Sequence, residues 1–261
     1  MRDFTLFKYK ELLEAILRAD YIPVPVRDHL AAPAKRCVIL RHDVDREVGR
    51  NLAMARLEHS MGIRSTYYFR HVKDVFIPGA IRDVAAMGHE VGFHYEVMDK
   101  AKGDKQKAME IFKQELEDLR RYADVTTACM HGNPLAPWSN RDLWEDYDFR
   151  DFGLTGEPYF SLDYSKVLYL TDTGRTWADR KIRVKDILDE SDGPNCRLTC
   201  NVRTTDDVIE LVRSREFTQI CILAHPNRWC DGMAGWTKEL VMQNLKNVGK
   251  AGIIVYRKTF G

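Results

Sequence analysis

The stretch that decides the fold runs Val38-Ile39-Leu40-Arg41-His42-Asp43-Val44-Asp45. It is a short apolar strand that ends abruptly in two carboxylates two residues apart. Residues two apart on a strand point to the same side of a sheet, so Asp43 and Asp45 can share one small volume. Charges are costly at the end of a buried strand unless a metal, an ion pair or a catalytic task compensates them. A bound cation would relieve the repulsion between the two carboxylates.

Outward from this stretch, strand-like and helix-like segments alternate along the chain. Alternation without two-residue hairpins favours a mainly parallel sheet, wound either as a barrel or as an open layer. No glycine-rich phosphate loop follows the first strand, which disfavours a nucleotide-binding open sheet. Residues 151–180 interrupt the alternation, and within them 168–175 is predicted to form a strand and a turn, or a hairpin. Strands are predicted at 37–43, 64–70, 89–94, 126–131, 167–171, 198–201, 218–224 and 252–256, and helices at 7–19, 47–61, 78–87, 104–122, 205–214 and 236–248.

The composition is that of a globular protein of one domain. The chain has 261 residues, of which 44% are hydrophobic and 30% are charged, and its net charge is +1. Because basic and acidic residues are interspersed, nucleic acid is not an expected partner. The N-terminus lacks the features of a signal peptide, and no apolar run is long enough for a membrane helix. The six cysteines form no Cys-x-x-Cys pair, so we expect a cytoplasmic protein without disulfides. Residues 1–261 are predicted to be one barrel domain, with 1–35 as a helical lead-in and the oligomeric state open.

Three histidines follow other predicted strands and point to one shared site. His94 ends the third strand, while His131 and His225 come directly after the fourth and the seventh. In a barrel of parallel strands, catalytic residues collect at the carboxyl ends of the strands. Parity separates these histidines from two others. If His94 points into the barrel, His89 points out of it, and His42 likewise points away from Asp43.

An Asp, His, His set with open positions for water is typical of a catalytic zinc site rather than a structural one. Such an ion lowers the pKa of its water from about 15.7 to near 7. A second carboxylate can then take the proton of that water, and a histidine opposite can protonate the leaving group. Arg41 shares the parity of Asp43 and can hold that carboxylate ionised.

At these residues the chain resembles the polysaccharide deacetylase family, carbohydrate esterase family 4, and its divergent members that begin with Arg-His-Asp-x-Asp. The resemblance covers roughly residues 36–256. It implies a distorted (β/α) barrel of seven or eight strands that hydrolyses acetyl groups on sugars with one divalent ion, usually Zn²⁺. By this resemblance Asp43 is the base and Asp45 is a metal ligand. The run Gly88-His89-Glu90-Val91-Gly92-Phe93-His94 makes His94 a ligand, and His225 is the general acid.

Two departures from the family pattern concern the ion's remaining ligand. The family usually has a second ligand histidine four residues after the first, and this position is Met98 here. The fourth strand ends in His131-Gly132-Asn133-Pro134, where the family usually has arginine and prolines. We predict that His131 completes the metal shell, with Glu96 as the alternative.

Aromatic and basic residues near the strand ends are predicted to bind substrate. Aromatic faces suit sugar rings, and arginine suits acidic sugars, although each of these residues is equally well read as a packing residue. The predicted function is metal-dependent removal of an acetyl group from an acetamido sugar or glycan precursor, as in surface polysaccharide assembly. Alternatives are hydrolysis of another amide C–N bond, or a non-catalytic carbohydrate-binding relative, which Met98 would fit. The predicted substrate-binding residues are Arg41, Tyr95, Asn133, Arg175 and Trp229.

Overall fold

The computed structural model describes residues 2–177 and 202–260, and for 250–260 the backbone alone. Within these ranges one parallel sheet carries the strands, and helices flank it. Strands β1–β7 are Ile22–Val24, Cys37–Val44, Thr66–Phe69, Glu90–Tyr95, Ala128–Met130, Val167–Thr171 and Gln219–Ala224. Helices α1–α9 are Leu6–Arg18, Val26–Ala31, Val48–Ser60, Pro78–Ala86, Val97–Lys100, Lys105–Arg120, Pro158–Ser161, Thr205–Ser214 and Met233–Phe260, and 3₁₀ turns span Asn140–Glu145, Phe149–Phe152 and Pro226–Arg228.

The sheet order is β5-β4-β3-β2-β7-β6, with β1 paired to the start of β2. The sheet curls into a half-barrel, so the predicted distorted α/β barrel is confirmed. In the described residues β5 and β6 do not pair with each other. Instead Gly156 bridges to Thr127 beside β5, and the Glu157 side chain accepts a hydrogen bond from the Met130 N–H at 3.0 Å.

Both faces of strand β2 are buried, because β2 lies in the middle of the sheet. Its alternation assigns its side chains to two different cores. Val38 and Leu40 face a cluster built with α1 and α8, whereas Cys37 and Ile39 belong to the cluster on the other face of the sheet. Arg41 and Asp43 continue the second set, so the charged end of β2 emerges inside the half-barrel.

Three predictions about elements need correction. The predicted strand 252–256 is part of α9, because a short run of β-branched residues fits a helix as well as a strand. The lead-in is not purely helical, since β1 joins the sheet. The predicted hairpin around 167–175 is absent from the described residues, where β6 pairs with β7 in parallel. The predicted strand 198–201 lies outside the described residues.

Two of the cysteines, Cys37 and Cys221, are buried thiols, and burial raises the pKa of Cys221 to about 12. Among the described helices, none combines the length and the apolar character that crossing a bilayer requires.

Candidate metal-dependent active site

The site lies where four parallel strands end at the same edge of the half-barrel. Asp43 and Asp45 come from the end of β2, and His94 comes from β4. His131 and His225 follow β5 and β7 directly. The site needs no long excursion of the chain, because the carboxyl ends of parallel strands meet at one edge.

Asp43 is held by Arg41 on the same strand. Arg41 Nε donates to Asp43 Oδ1 at 3.0 Å, and Nη2 donates to Oδ2 at 2.9 Å. Both side chains are buried, and the guanidinium lies over the rings of Tyr68 and Tyr159. Burial opposes ionisation, but Arg41 and the nearby histidines outweigh it and lower the pKa of Asp43. The carboxylate is therefore charged at neutral pH, with a fixed orientation.

Asp45 has the opposite environment, because its Oδ1 is buried and accepts no hydrogen bond. That atom lies 3.5 Å from His94 Nε2 and 3.8 Å from His131 Nε2. Burial opposes its ionisation too, yet the three histidines hold the pKa of Asp45 well below its usual range. A buried carboxylate oxygen facing two imidazole nitrogens is the donor set that a divalent cation of the zinc type binds.

His94 and His131 differ in their protonation and in the contact made by the ring nitrogen Nδ1. His94 Nδ1 lies 3.0 Å from the Cys129 carbonyl, and a proton donated there leaves Nε2 free as a ligand. Burial lowers the pKa of His131 to about 4, so its ring is neutral at pH 7. For His94, Asp43 and Asp45 outweigh burial and raise the pKa. A cation and a proton therefore compete for the same His94 nitrogen.

Two groups of metal-binding side chains bring all their ligand atoms within 4.8 Å of one another in the described part of the chain, and Asp45 belongs to neither. The groups are Asp43/His94/Cys129 and Glu96/Asp99/His131. In the first group Arg41 occupies both oxygens of Asp43, which disfavours a second cation there. In the second group Asp99 accepts from Trp138 Nε1 at 2.8 Å and from Asn140 Nδ2 at 3.1 Å. Asp45 Oδ1 and Glu96 Oε1 are the carboxylate oxygens here that are buried without a hydrogen-bond partner, and Asp45 Oδ1 is the one that faces both His94 and His131.

Glu96, the alternative ligand, pairs with Arg70 and lies 3.5 Å from His131 Nδ1. It therefore sits behind His131, on the side away from Asp45. Met98 is a buried residue of the main hydrophobic core. Asn140 links the backbone at Met98 to the backbone at His131. Its Oδ1 accepts from the Met98 N–H at 2.9 Å, and its Nδ2 donates to the His131 carbonyl at 2.8 Å.

His225 is oriented by a carboxylate that the sequence reasoning missed. The ring nitrogen His225 Nδ1 lies 2.6 Å from Asp172 Oδ1, and the backbone N–H of His225 donates to Asp172 Oδ2 at 3.0 Å. Arg228 and the Trp229 indole N–H also donate to Asp172. Burial opposes ionisation of Asp172, but Arg228 and His225 outweigh it and lower its pKa. His225 Nε2 is left facing the site, 4.0 Å from Asp45 Oδ2.

A usable signal for Asp172 was present in the sequence. It directly follows the predicted strand 167–171, as Asp43 and Asp45 follow the first strand, but it was assigned to the rim of a hairpin. The other omitted residues, Asn140 and Glu157, had no such signal, because they lie in irregular segments between β5 and β6.

The structure places the predicted substrate-binding residues in several different environments. Tyr95 is fully buried on the sheet face opposite His94, and its hydroxyl lies between Trp144 and Glu157. Trp229 is fully buried against Phe4 and Tyr9. For these two the correction is physical, since neither has a surface to offer a substrate.

Arg41, Arg175 and Asn133 differ from that pair. Arg41 contacts Asp43, as described above. Arg175 is stacked on Trp236 and donates to its carbonyl at 3.2 Å, so it anchors α9. Asn133 lies in the partly exposed loop after β5, where its Oδ1 accepts from the Leu135 N–H at 3.0 Å.

Comparison with known proteins adds one structural likeness. No family model matches the sequence, and no curated protein matches it either. A solved structure that resembles it is the Xyl-CE4 domain of a multidomain xylanase from the hindgut metagenome of Trinervitermes trinervoides. The likeness covers 83% of this chain and 85% of that chain, with 15% identity and a TM-score of 0.38. The site is therefore interpreted from its own geometry.

Proposed function

We propose that this chain is a metal-dependent hydrolase that removes an acetyl group from an acetamido sugar or a glycan precursor. The observation that carries the proposal is the unequal treatment of two neighbouring carboxylates. Arg41 donates one hydrogen bond to each oxygen of Asp43 and so orients it, whereas Asp45 presents an unpartnered oxygen to His94 and His131. One carboxylate is thus suited to proton transfer, and the other to holding an ion.

In this proposal Asp45, His94 and His131 hold one divalent ion, which we expect to be Zn²⁺. Two imidazoles and one carboxylate with open positions are the ligands of catalytic zinc sites. The ion would polarise the acetyl carbonyl and lower the pKa of water at the site. Glu96 supports the third ligand by lying against His131 Nδ1, in the way that carboxylates orient metal-bound imidazoles.

The protein's own groups supply the proton transfers. Asp43 takes a proton from the attacking water, since Arg41 holds it ionised and oriented. His225 gives a proton to the departing amine, and Asp172 fixes the ring so that Nε2 faces the site. General acid and base groups of this kind each contribute about 10²–10⁴-fold in rate. The His131 N–H already donates to the Tyr95 carbonyl at 2.8 Å, so oxyanion stabilisation in the 131–134 loop would fall to the Gly132 or Asn133 N–H.

The buried Asp172–His225 pair favours an enzyme over a carbohydrate-binding relative. A binding protein gains nothing from a buried carboxylate that orients one imidazole towards a metal site. Hydrolysis of a different amide C–N bond would use the same groups, because the fold does not determine the substrate.

The test combines metal analysis of the purified protein with acetate release from a panel of acetamido sugars. We expect about one zinc per chain, acetate release that EDTA abolishes, and recovery when Zn²⁺ is returned. Acetate release from metal-free protein would contradict the proposal. A zinc-loaded protein that cleaves other amides but no acetamido sugar would replace it with the broader amide hydrolase.

A further inference from the structure

Helix α9 turns a polar face towards the active site. The Arg46 guanidinium pairs with Glu239 at 2.6 Å, and Asn247 Nδ2 donates to the Gly174 carbonyl at 2.9 Å. Arg46 directly follows Asp45, and Gly174 lies two residues after Asp172. The opposite face of the helix is apolar and exposed, with Val241 at 52% and Leu245 at 64%. This is the reverse of the usual surface-helix pattern, and it buries Glu239 and Gln243 on the side that faces the rest of the protein.

Lys246 belongs to the polar face. It lies seven residues after Glu239 and three after the buried Gln243, spacings that place side chains on one side of a helix. Seven residues make about two helical turns, so Lys246 stands on the same side of α9 as Glu239, whose carboxylate pairs with Arg46 beside Asp45. Lys246 therefore lies at the mouth of the metal site.

Three cations and three acids lie at the mouth of the site, and two of each are paired with one another. Arg46 is paired with Glu239, and Arg228 is paired with Asp172 at 2.6 Å. In the described residues no carboxylate forms an ion pair with Lys246. Asp45 is the remaining acid, and the proposed function assigns it to the cation. The Arg46 side chain is 32% exposed and Lys246 is exposed, so both can reach a ligand.

We propose that Lys246 and Arg46 form an anion subsite beside the metal centre, which binds a phosphate or carboxylate carried by the sugar substrate. The preferred substrate is then a negatively charged acetamido sugar rather than a neutral one. This inference rests on the proposed function for the position of the acetyl group. The subsite itself depends only on the arrangement of α9 over the strand ends.

The test measures binding separately from turnover. Isothermal titration compares N-acetylglucosamine with its 1-phosphate and with 2-acetamido-2-deoxyglucuronic acid, on protein with and without added Zn²⁺. A hydrogen bond to a charged group contributes about 1.5–3 kcal/mol, so we expect at least one anionic sugar to have a Kd about tenfold lower than the neutral sugar. This preference should decrease as salt is raised, because part of the subsite is exposed to solvent. Whichever anionic sugar binds more tightly identifies phosphate or carboxylate as the group recognised.

Lys246→Gln should remove most of that preference while leaving the Kd of the neutral sugar unchanged. Lys238→Gln is the matched control, because Lys238 is exposed on the same helix away from the site. Equal Kd values for neutral and anionic sugars in the unmodified protein would overturn the subsite, and so would equal losses in the two variants. Absence of measurable binding by either anionic sugar would reject it as well. Failure of acetate release with the anion preference intact would count against the proposed function alone.

Discussion

Neighbouring residues of β2 point into two buried polar clusters, one on each face of the sheet. His42 faces the outer cluster, which we define as Tyr9, His42, Glu58, Ser65 and Tyr67. There both oxygens of Glu58 are saturated: Oε1 contacts His42 Nε2 at 2.7 Å and the Tyr9 hydroxyl, while Oε2 accepts from Ser65 at 2.5 Å and from Tyr67 at 2.7 Å.

The inner cluster, defined as Arg41, Asp43, Asp45, His94 and His131, lies at the end of the same strand but is incomplete. Both clusters contain buried atoms without a hydrogen-bond partner, which are Arg41 Nη1, Asp45 Oδ1 and His131 Nδ1 in the inner one and His42 Nδ1 in the outer one. Their carboxylates differ, because Glu58 has both oxygens partnered whereas Asp45 Oδ1 has no partner, and a bound cation would supply it. The carboxylate of the outer cluster is thus fully used inside the fold, whereas the proposed function gives the carboxylates of the inner cluster a ligand to act on.

The largest expected effect is on turnover, from a change in the inner cluster. Asp43→Asn should lower kcat by about 10³-fold, because the amide cannot accept the proton that the carboxylate takes. The zinc content should stay near one per chain, since Asp45, His94 and His131 are unchanged. Steady-state kinetics and metal analysis of the same preparation check both expectations.

Asp43→Asn also leaves the buried Arg41 without its counter-charge, so the fold of the variant must be examined. Asp43→Glu keeps the charge and shifts the carboxylate by one methylene, and it should retain more turnover than Asp43→Asn. Substantial activity in a folded Asp43→Asn variant would end the assignment of Asp43 as the base.

In the outer cluster the expected effect is on stability. Glu58 is fully buried, and although burial opposes ionisation, His42, His89 and Ser65 lower its pKa from 4.5 to about 2. Because the pKa of Glu58 is lower in the folded protein, its ionisation stabilises the fold fully at pH values above the pKa of this group in the unfolded chain. The stabilisation is lost as the pH falls through the pKa of the folded state. The size of this shift corresponds to about 3 kcal/mol. Urea unfolding should therefore show Glu58→Gln to be less stable than the unmodified protein by about this amount at pH 7, and by less at pH 3.

Glu47→Gln is the control for this measurement, because Glu47 is 37% exposed and forms a surface pair with Arg50. Such pairs contribute about 1 kcal/mol or less. If Glu58→Gln unfolds at the same urea concentration as the control, the outer cluster does not have the stabilising role described here. The folded Glu58→Gln variant should still bind zinc.

The smallest expected effect distinguishes two residues within the inner region. His131→Ala should weaken zinc binding by about 100-fold or more, because it removes a ligand. Glu96→Gln should weaken it by about tenfold, the lower end of the loss expected for a group that only orients a ligand. Competition with a chromophoric chelator measures both affinities. The reverse order would make Glu96 the third ligand.

The five predicted residues that meet at the edge of the sheet share one property, which is that they lie at the end of a strand or directly after it. Their meeting could be predicted because parallel strands end at one edge of a sheet. These residues are Asp43, Asp45, His94, His131 and His225. The prediction that Tyr95 binds substrate was wrong for a reason visible in the sequence. Tyr95 has the opposite strand parity to His94 and therefore points to the other face of the sheet. Asp172 follows a strand as well, but assigning the segment after it to a hairpin hid its partnership with His225.

What the sequence determined by itself was the parallel sheet and the set of chemical groups at its carboxyl edge, because strand periodicity and strand ends are local properties. Tertiary structure decided which oxygen is left without a partner, since Arg41 holds both oxygens of Asp43 whereas Asp45 Oδ1 faces His94 and His131 without a hydrogen bond. It also brought Asp172 behind His225 and the polar face of α9 to Arg46. His94, Asp172 and α9 are far from these partners in the chain, and only packing determines which side chains meet.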